Sequence, residues 1–206
     1  NDPFGNMIRK AIRGEGVDVS RSLTHPQAPT GIMMREVVAN KSSVYYNRSG
    51  SAASRMKPTD LDASYFDGAK ILHITGITAA LSQNGQDTLF TAIRIAKEKG
   101  VKVCFDPNLR LKLWSLDEAR EVLLAIAREA DYFLPGLDEL QLLYNTSDVD
   151  RMMQHVTELS AVSVIKGGNN ETWLLEEGKL EQIPYFPVDE VVDTVGAGDA
   201  FCAGFI

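Results

Sequence analysis

The stretch KILHITGITAALSQNGQDTLFTAIRIAKEKGVKVCFD, residues 70–106, decides the fold. It holds two short apolar runs, KILHIT at 70–75 and VKVCFD at 101–106, which are typical of strands. Between them lies a helical segment within 83–99 that ends at Gly100. A strand, a helix and a second strand in this order form the unit of a parallel sheet, because the helix carries the chain back across one face. The stretch therefore predicts an α/β fold.

The same alternation continues toward the C-terminus. The predicted elements are, in order, a helix from Ser115, a strand at 131–135, a helix at 138–144, a helix from Ser147 to about Ser160, and strands at 161–168, 171–177 and 179–186. The last two strands join through Gly178 as a hairpin. With right-handed crossovers, this order predicts a doubly wound, mainly parallel sheet that has helices on both faces.

The N-terminal part of the chain predicts a helix and a separate β-hairpin. Asp2 and Pro3 form an N-cap and first-position pair, and apolar residues then recur at helical spacing until Gly14. Strand-like runs at 31–38 and 43–48 are separated by the turn residues ANKS. The predicted domains are an α/β core of residues 1–30 and 55–206 and a small β lid of residues 31–54.

Charge and composition argue against several classes of function. The 206 residues carry a formal net charge of -7, and no cluster of lysines and arginines marks a nucleic-acid surface. No apolar run approaches the ~20 residues that cross a bilayer, and the N-terminus lacks the apolar core of a signal peptide. Cys104 and Cys202 lie far apart in apolar runs, so we expect buried reduced thiols in a cytoplasmic protein. Three scattered histidines offer no metal-ligand spacing.

The loops that follow the strands carry the candidate chemistry, since ligands of parallel sheets bind beyond the carboxyl ends of the strands. The positions singled out by this rule are Gly76 and residues 107–110, 135–139, 167–170 and 196–199. In the last of these, Gly196, Ala197 and Gly198 are small enough for the N–H groups of a helix start to reach an anion. Asp199 would repel a phosphate unless it accepts a proton from an attacking hydroxyl. A plain helix cap and tight turn also suit these residues, and this alternative stays open.

The longer string DTVGAGDAF, residues 193–201, resembles the signature of the ribokinase-like sugar kinases of the phosphofructokinase-B group. Further stretches resemble one branch, the 2-keto-3-deoxygluconate kinases: DPFG (2–5), PTGIMMRE (29–36), YYNRSGSAAS (45–54), HITGITAAL (73–81) and FDPNLR (105–110). The matching stretches follow the expected order along nearly the whole chain. The resemblance implies a ribokinase-like fold, a kinase that uses ATP and Mg²⁺, and a sugar acid as the second substrate.

The resemblance assigns the reaction to the glycine turn. Asp199 would be the catalytic base that contacts and activates the substrate hydroxyl. Gly196, Ala197 and Gly198 would form the anion hole over the transferred phosphoryl group, and the two glycines would also contact the nucleotide. These assignments come from the match to the family signature and not from the spacing of the residues.

Other roles implied by the resemblance concern the nucleotide and its cations. Lys166 and Gly168 match a segment that lies along the nucleotide. Glu139 matches the glutamate of an N-x-x-E motif that organises Mg²⁺ through water, but Gly136 stands where that motif has asparagine, which removes one amide side chain. Asp193 matches a position that shapes the loop and in some relatives holds a monovalent cation such as K⁺.

Three side chains point to a sugar acid. Strand alternation puts Tyr46 and Arg48 on one face of the hairpin, where a ring can pack on carbon and a guanidinium can bind a carboxylate in a bidentate way. In the kinases that the chain resembles, Tyr46, Arg48 and Arg110 match positions that hold the carboxylate and hydroxyls of the substrate. Arg48 also suits a solvated hairpin position, and Tyr46 a packing position at a dimer interface.

Three functions stay open at this point. The first is a kinase that converts 2-keto-3-deoxygluconate to its 6-phosphate, the second is a kinase of a neutral sugar such as fructose or ribose, and the third is a non-catalytic sugar-acid-binding or dimerisation module. The resemblance also implies a homo-oligomer that forms through the lid. The resemblance implies that the chain lacks opening strands and closing helices that its relatives have, and a helix begun at Gly198 has no stop signal before Ile206.

Overall fold

The computed structural model describes residues 2–38, 41–159, 161–167, 171–186 and 188–206. The helices are α1 (Pro3–Gly14), α2 (Gly76–Ala80), α3 (Gln83–Glu98), α4 (Leu116–Glu129), α5 (Leu137–Tyr144), α6 (Val149–Thr157) and α7 (Ala197–Phe205). The strands are β1 (Ile32–Val38), β2 (Lys41–Asn47), β3 (Ile71–Thr75), β4 (Lys102–Asp106), β5 (Tyr132–Phe133), β6 (Val162–Lys166), β7 (Glu171–Glu176) and β8 (Lys179–Pro184). Short 3-10 helices at Ala53–Arg55, Pro58–Asp60 and Ala63–Phe66 join β2 to β3.

A six-stranded sheet in the order β3-β4-β5-β6-β7-β8 forms the centre of the molecule. The strands from β3 to β6 run parallel to their neighbours, whereas β7 and β8 add an antiparallel hairpin at one side. Each step between parallel strands carries one or two helices. The mainly parallel α/β sheet predicted from the strand and helix alternation is therefore confirmed.

Helices cover both faces of the sheet, but unequally. Phe105 and Phe133 pack with α2 to α6 in the larger core. Their strand neighbours Cys104 and Leu134 point to the opposite face, because successive side chains alternate across a sheet, and there they pack with Cys202 of α7. The helix that begins at the glycine turn thus lies on the face opposite to the other helices of the sheet.

Local capping signals explain where two helices begin. Ser115 and Glu118 form the predicted capping box of α4, with the Ser115 hydroxyl accepting from the Glu118 N–H at 3.3 Å and the Glu118 carboxylate accepting from the Ser115 N–H at 3.1 Å. Helix α6 is capped by Asp148, not by Ser147, through a bond from the Arg151 N–H at 3.2 Å. The prediction of Ser147 was wrong by one residue, since a carboxylate also gains from the positive end of the helix dipole.

Strands β1 and β2 form a separate two-stranded antiparallel sheet. The hairpin predicted at 31–38 and 43–48 is present, and β2 begins earlier than expected, at Lys41. Ala39 and Asn40 of the predicted turn lie outside the described residues. The division of the chain into an α/β core and a lid domain stays a prediction.

Within the ranges that the structure describes, none of the helices is both long enough and apolar enough to cross a membrane.

Candidate active site

The glycine turn leaves the N-terminus of α7 open. Gly196 has a φ of +78°, a left-handed conformation that favours glycine. The N–H of Ala197 closes the turn onto the carbonyl of Thr194 at 3.1 Å. A Cβ built at Gly196 or at Gly198 has nothing within 4 Å, so at these two positions no described side chain packs on the turn. The N–H groups that an anion can approach are those after Ala197, at Gly198 and Asp199.

Asp199 lies in the first turn of α7, and its side chain is exposed. One helical turn later, Cys202 is only 3% exposed and packs against the sheet. The helix therefore presents Asp199 to solvent while Cys202 anchors it from beneath. A proton acceptor needs this accessibility, because a substrate hydroxyl must come within hydrogen-bond distance of it.

Asp106, the last residue of β4, is a buried carboxylate close to α7. Its Oδ1 accepts from the Lys166 Nζ and from the Asn108 N–H, both at 3.2 Å. Its Oδ2 accepts from the Cys202 Sγ at 3.5 Å. A buried carboxylate needs a positive charge or several donors to offset its lost hydration, and here it has both. Asp106 joins the ends of β4 and β6 to α7.

The two cysteines stay protonated at neutral pH. Burial, and after it the negative charge of Asp106, raises the pKa of Cys202 to about 12 and the pKa of Cys104 to about 11. Both cysteines are free and buried, as predicted. A protonated thiol can donate to a carboxylate, so Cys202 fixes α7 against β4 by a hydrogen bond as well as by packing.

Lys166 ends β6 and remains accessible from the site. Its side chain is 20% exposed, which leaves room for a second anionic partner beside Asp106. Its backbone N–H donates to the Pro135 carbonyl at 2.8 Å, so the strand end itself is fixed. Gly168, the other residue predicted to lie along the nucleotide, lies outside the described residues.

Glu139 holds two loops together below the site. Its Oε1 accepts from the Leu109 N–H at 2.6 Å, and its Oε2 accepts from the Gly136 N–H at 2.7 Å. Burial raises the pKa of Glu139, and the two backbone bonds act against that rise. A carboxylate oxygen can accept more than one hydrogen bond, so Glu139 could also hold a water. This fits the water-mediated role toward Mg²⁺ that was predicted for it.

A metal ion at this site would need ligands besides protein side chains. In the described part of the chain, no group of three or more His, Cys, Asp or Glu could hold a metal ion. Mg²⁺ suits such a place, because it commonly binds through one or two carboxylates, waters and the phosphates of a substrate.

Gly136 stands where the resembled motif has asparagine. Its φ of -81° and ψ of 151° suit any residue. A Cβ at Gly136, however, would lie 2.5 Å from Oδ1 of Asp138. The Asp138 side chain would have to turn away to admit an asparagine, so the glycine and its neighbour are matched to each other.

The lid residues Tyr46 and Arg48 lie on one face, as strand alternation predicts. The Cζ of Arg48 lies 4.6 Å from the centre of the Tyr46 ring, a cation–π contact. Arg110 is exposed, and its Nη1 donates to the Leu109 carbonyl at 3.0 Å. The Lys112 Nζ donates to the carbonyl of Val44 in β2 at 3.1 Å. That contact brings the loop that carries Arg110 next to the lid strand that carries Tyr46.

Asp193 binds the lid through Arg35, which sequence reasoning did not select. The Arg35 Nη1 lies 2.7 Å from Oδ2 of Asp193, and the Val195 N–H donates to Oδ1 at 3.0 Å. The bond from Arg35, followed by the Val195 bond, lowers the pKa of Asp193. The predicted site for a monovalent cation is thus a carboxylate that protein donors engage at both oxygens.

Two cavities in the described part of the structure lie away from the candidate site. One cavity of about 250 Å³ lies between α1 and the segment that leads to the lid, and another of about 490 Å³ lies at the amino ends of β4, β5 and β6. Neither cavity is lined by a predicted site residue. The roles assigned to the individual site residues stay predictions.

Comparison with protein families and curated proteins gives consistent results. A family model described as pfkB family carbohydrate kinase matches residues 1–206. A 2-dehydro-3-deoxygluconokinase of Bacillus subtilis is 36% identical over 100% of this chain and 65% of its own length, and one of Thermoproteus tenax is 34% identical over 100% and 64%. Fructokinase-2 of Zea mays is 28% identical over 100% and 62%. The chain therefore spans slightly less than two thirds of these relatives.

Solved structures agree with the fold. A PfkB protein from Polaromonas superposes with a TM-score of 0.89 at 30% identity, over 99% of this chain and 68% of the other. A structure from E. coli in complex with ATP and Mg²⁺ gives 0.85 at 26%, over 98% and 65%. A double-mutant fructokinase from Vibrio cholerae, in a form with fructose, ADP and potassium ion bound, gives 0.87 at 26%, over 99% and 66%.

We predict that the free energy of unfolding of Cys202→Ser is about 1 kcal/mol higher than that of Cys202→Ala, because serine can still donate to Asp106 whereas alanine cannot. Urea unfolding of both variants measures the difference. The two substitutes have similar size, so a cysteine that only packs would make serine no better than alanine. The advantage of serine should shrink in an Asp106→Asn background, which has a weaker acceptor; an unchanged advantage would show that the Asp106 bond is not its source.

Proposed function

Because the chain belongs to the pfkB family of carbohydrate kinases, we propose that it transfers the γ-phosphoryl group of ATP to a hydroxyl of a sugar acid. The substrate proposed is 2-keto-3-deoxygluconate and the product its 6-phosphate, since relatives in two organisms are named for this activity. The observation that carries the proposal is the open start of α7, with Asp199 exposed above a buried anchor.

In the proposed reaction, Asp199 accepts the proton of the sugar hydroxyl while the hydroxyl oxygen attacks the γ-phosphorus. The bond between that phosphorus and the oxygen of ADP breaks, and ADP leaves. The N–H groups at the start of α7 stabilise the charge on the transferred group. Because phosphoryl transfer has a loose transition state, the position of Asp199 matters more than its strength as a base.

The nucleotide is proposed to bind at the ends of β4 and β6. Lys166 is proposed to meet the phosphates, because its side chain stays partly exposed while Asp106 holds its Nζ. When bound, Mg²⁺ would offset the negative charge of the phosphates. Glu139 is the residue proposed to hold that ion through water. The E. coli structure in complex with ATP and Mg²⁺ supports both cofactors by similarity.

A sugar acid is favoured over a neutral sugar by the cationic side chains at the lid. Arg48 stacks on Tyr46, and its guanidinium is proposed to meet a carboxylate in a bidentate way. Arg110 offers a second guanidinium from the neighbouring loop. A neutral-sugar kinase is the second candidate, because fructokinases are also among the relatives of the chain.

We also propose that the lid pairs with the lid of a second copy. A two-stranded sheet alone is marginally stable, and this one exposes several large apolar side chains: Met33, Met34, Val37, Val38 and Tyr45. The proposed compartment is the cytoplasm, where free thiols such as Cys104 stay reduced.

We predict that Asp199→Asn lowers kcat by about 100-fold or more, because the amide cannot accept the proton of the hydroxyl. KM for ATP should change little, since Asp199 is not proposed to bind the nucleotide. Coupled ADP release with 2-keto-3-deoxygluconate measures both constants in the full-length protein. Asp150→Asn is the matched control, because Asp150 is also an exposed acid in the first turn of a helix, α6. ATP consumption by Asp199→Asn at the control's rate would refute the mechanism.

We predict that Arg48→Ala raises KM for 2-keto-3-deoxygluconate by about tenfold or more, the loss expected for one charge-assisted hydrogen bond to a carboxylate. Arg13→Ala, which removes an exposed arginine of α1, should leave KM unchanged. The same ADP-release assay with a panel of sugar acids and neutral sugars measures the effect. Turnover of fructose or ribose that is indifferent to Arg48→Ala would favour the neutral-sugar kinase. Ligand binding without any ATP use would favour a non-catalytic module.

A further inference from the structure

Arg35 connects the lid to the loop that precedes the glycine turn. It lies in β1, 158 positions before Asp193 in the chain, and its Nη1 donates to Oδ2 of Asp193 at 2.7 Å. The other lid strand, β2, is held by the bond from the Lys112 Nζ to the Val44 carbonyl. Both strands of the lid are therefore tied to loops at the carboxyl end of the sheet.

The carboxylate of Asp193 already pairs with a positively charged side chain, that of Arg35. Oδ2 accepts from the Arg35 guanidinium and Oδ1 from the Val195 N–H. The two side chains remain 32% and 49% exposed, so a dissolved ion can reach them. A monovalent cation that bound this carboxylate would lie next to a guanidinium of the same sign. The residues present do not fit K⁺ at Asp193 while Arg35 is in place.

The charge of Asp193 matters because of where the carboxylate lies. It precedes Gly196, the left-handed residue of the turn, by three positions. An uncompensated negative charge in this loop would oppose the approach of phosphate groups to the start of α7. A fixed positive partner removes that repulsion and holds the loop at the same time.

We propose that Arg35 is a positioning residue that supplies the positive charge at Asp193, so that the protein needs no monovalent cation there. The inference rests on the kinase function proposed above. The double-mutant fructokinase from Vibrio cholerae was solved in a potassium-bound form, which makes potassium the ion to test.

The test compares wild type, Arg35→Ala and Arg35→Lys in potassium, sodium and choline chloride at one ionic strength. Wild-type kcat should differ by less than about twofold among the three salts, because the positive charge at Asp193 is the Arg35 guanidinium and not a dissolved ion. Arg35→Ala should lose about tenfold in choline, the order of effect expected when one charged group near a phosphoryl site is removed, and should recover in potassium. Arg35→Lys should stay close to wild type in all three salts.

Arg21→Ala is the matched control. The Arg21 Nη1 also lies 2.7 Å from a carboxylate, that of Asp62. The Arg21 side chain is 50% exposed and that of Asp62 is 58% exposed, and neither residue belongs to the candidate site. This variant should show no dependence on potassium. A potassium response equal to that of Arg35→Ala would mean that the ion acts at some other place.

A second measurement separates this inference from the kinase proposal. Potassium should raise the unfolding temperature of Arg35→Ala more than sodium or choline does, and should leave wild type unchanged, because only the variant has a vacant cation position. Strong potassium activation of wild type, or a loss in Arg35→Ala that no cation restores, would overturn the role of Arg35. Absence of kinase activity in wild type would count against the proposed function instead, and the unfolding temperatures would still decide the role of Arg35.

Discussion

The arrangement of the site depends on one buried carboxylate. Asp106 cannot lie in the interior without compensation, and it obtains that compensation from Lys166 and from the Cys202 thiol. These three residues come from β4, β6 and α7, so one charge fixes the relative positions of two strand ends and a helix. The exposed Asp199 is then held one helical turn above a buried contact. Removing the Asp106 charge would release the lysine and leave the helix held by packing alone.

The lid depends on weaker and more exposed interactions. Among the described residues, its two strands pair with no strand of the central sheet. Contacts to the core include the Arg35 ion pair and the Lys112 hydrogen bond. Partly exposed ion pairs contribute little to global stability and weaken with salt. An element held in this way can open for a substrate without disturbing the sheet. The residues proposed for the reaction would then be held by the central sheet, and the weakly attached lid would control substrate access.

Sequence reasoning was most successful where local rules act alone. The alternation from residue 70 onward gave the parallel sheet, and the spacing of Ser115 and Glu118 gave a capping box, because periodicity and capping are properties of short segments. Gly196 lies at a left-handed position, as a tight turn of small residues requires. The hairpin and the shared face of Tyr46 and Arg48 followed from alternation in the same way.

The missed residues depend on contacts between distant segments. Asp106 is the last residue of its strand, and the strand-end rule was applied one position too late, at 107–110. Its pairing with Lys166 requires knowing that β4 and β6 flank the two-residue strand β5. Nothing local to Arg35 marks it, because its partner lies at the other end of the chain and meets it only through the placement of the lid.

The central claim is that the amides of the turn bind the phosphoryl group in transit, beside the hydroxyl whose proton Asp199 accepts, better than they bind ADP. Calorimetric titration of the full-length protein with ADP, aluminium fluoride and Mg²⁺ in the presence of 2-keto-3-deoxygluconate tests it directly. The account predicts binding at least about 100-fold tighter than that of ADP and Mg²⁺ alone, as expected for a transition-state analogue. Equal affinity with and without aluminium fluoride would contradict it.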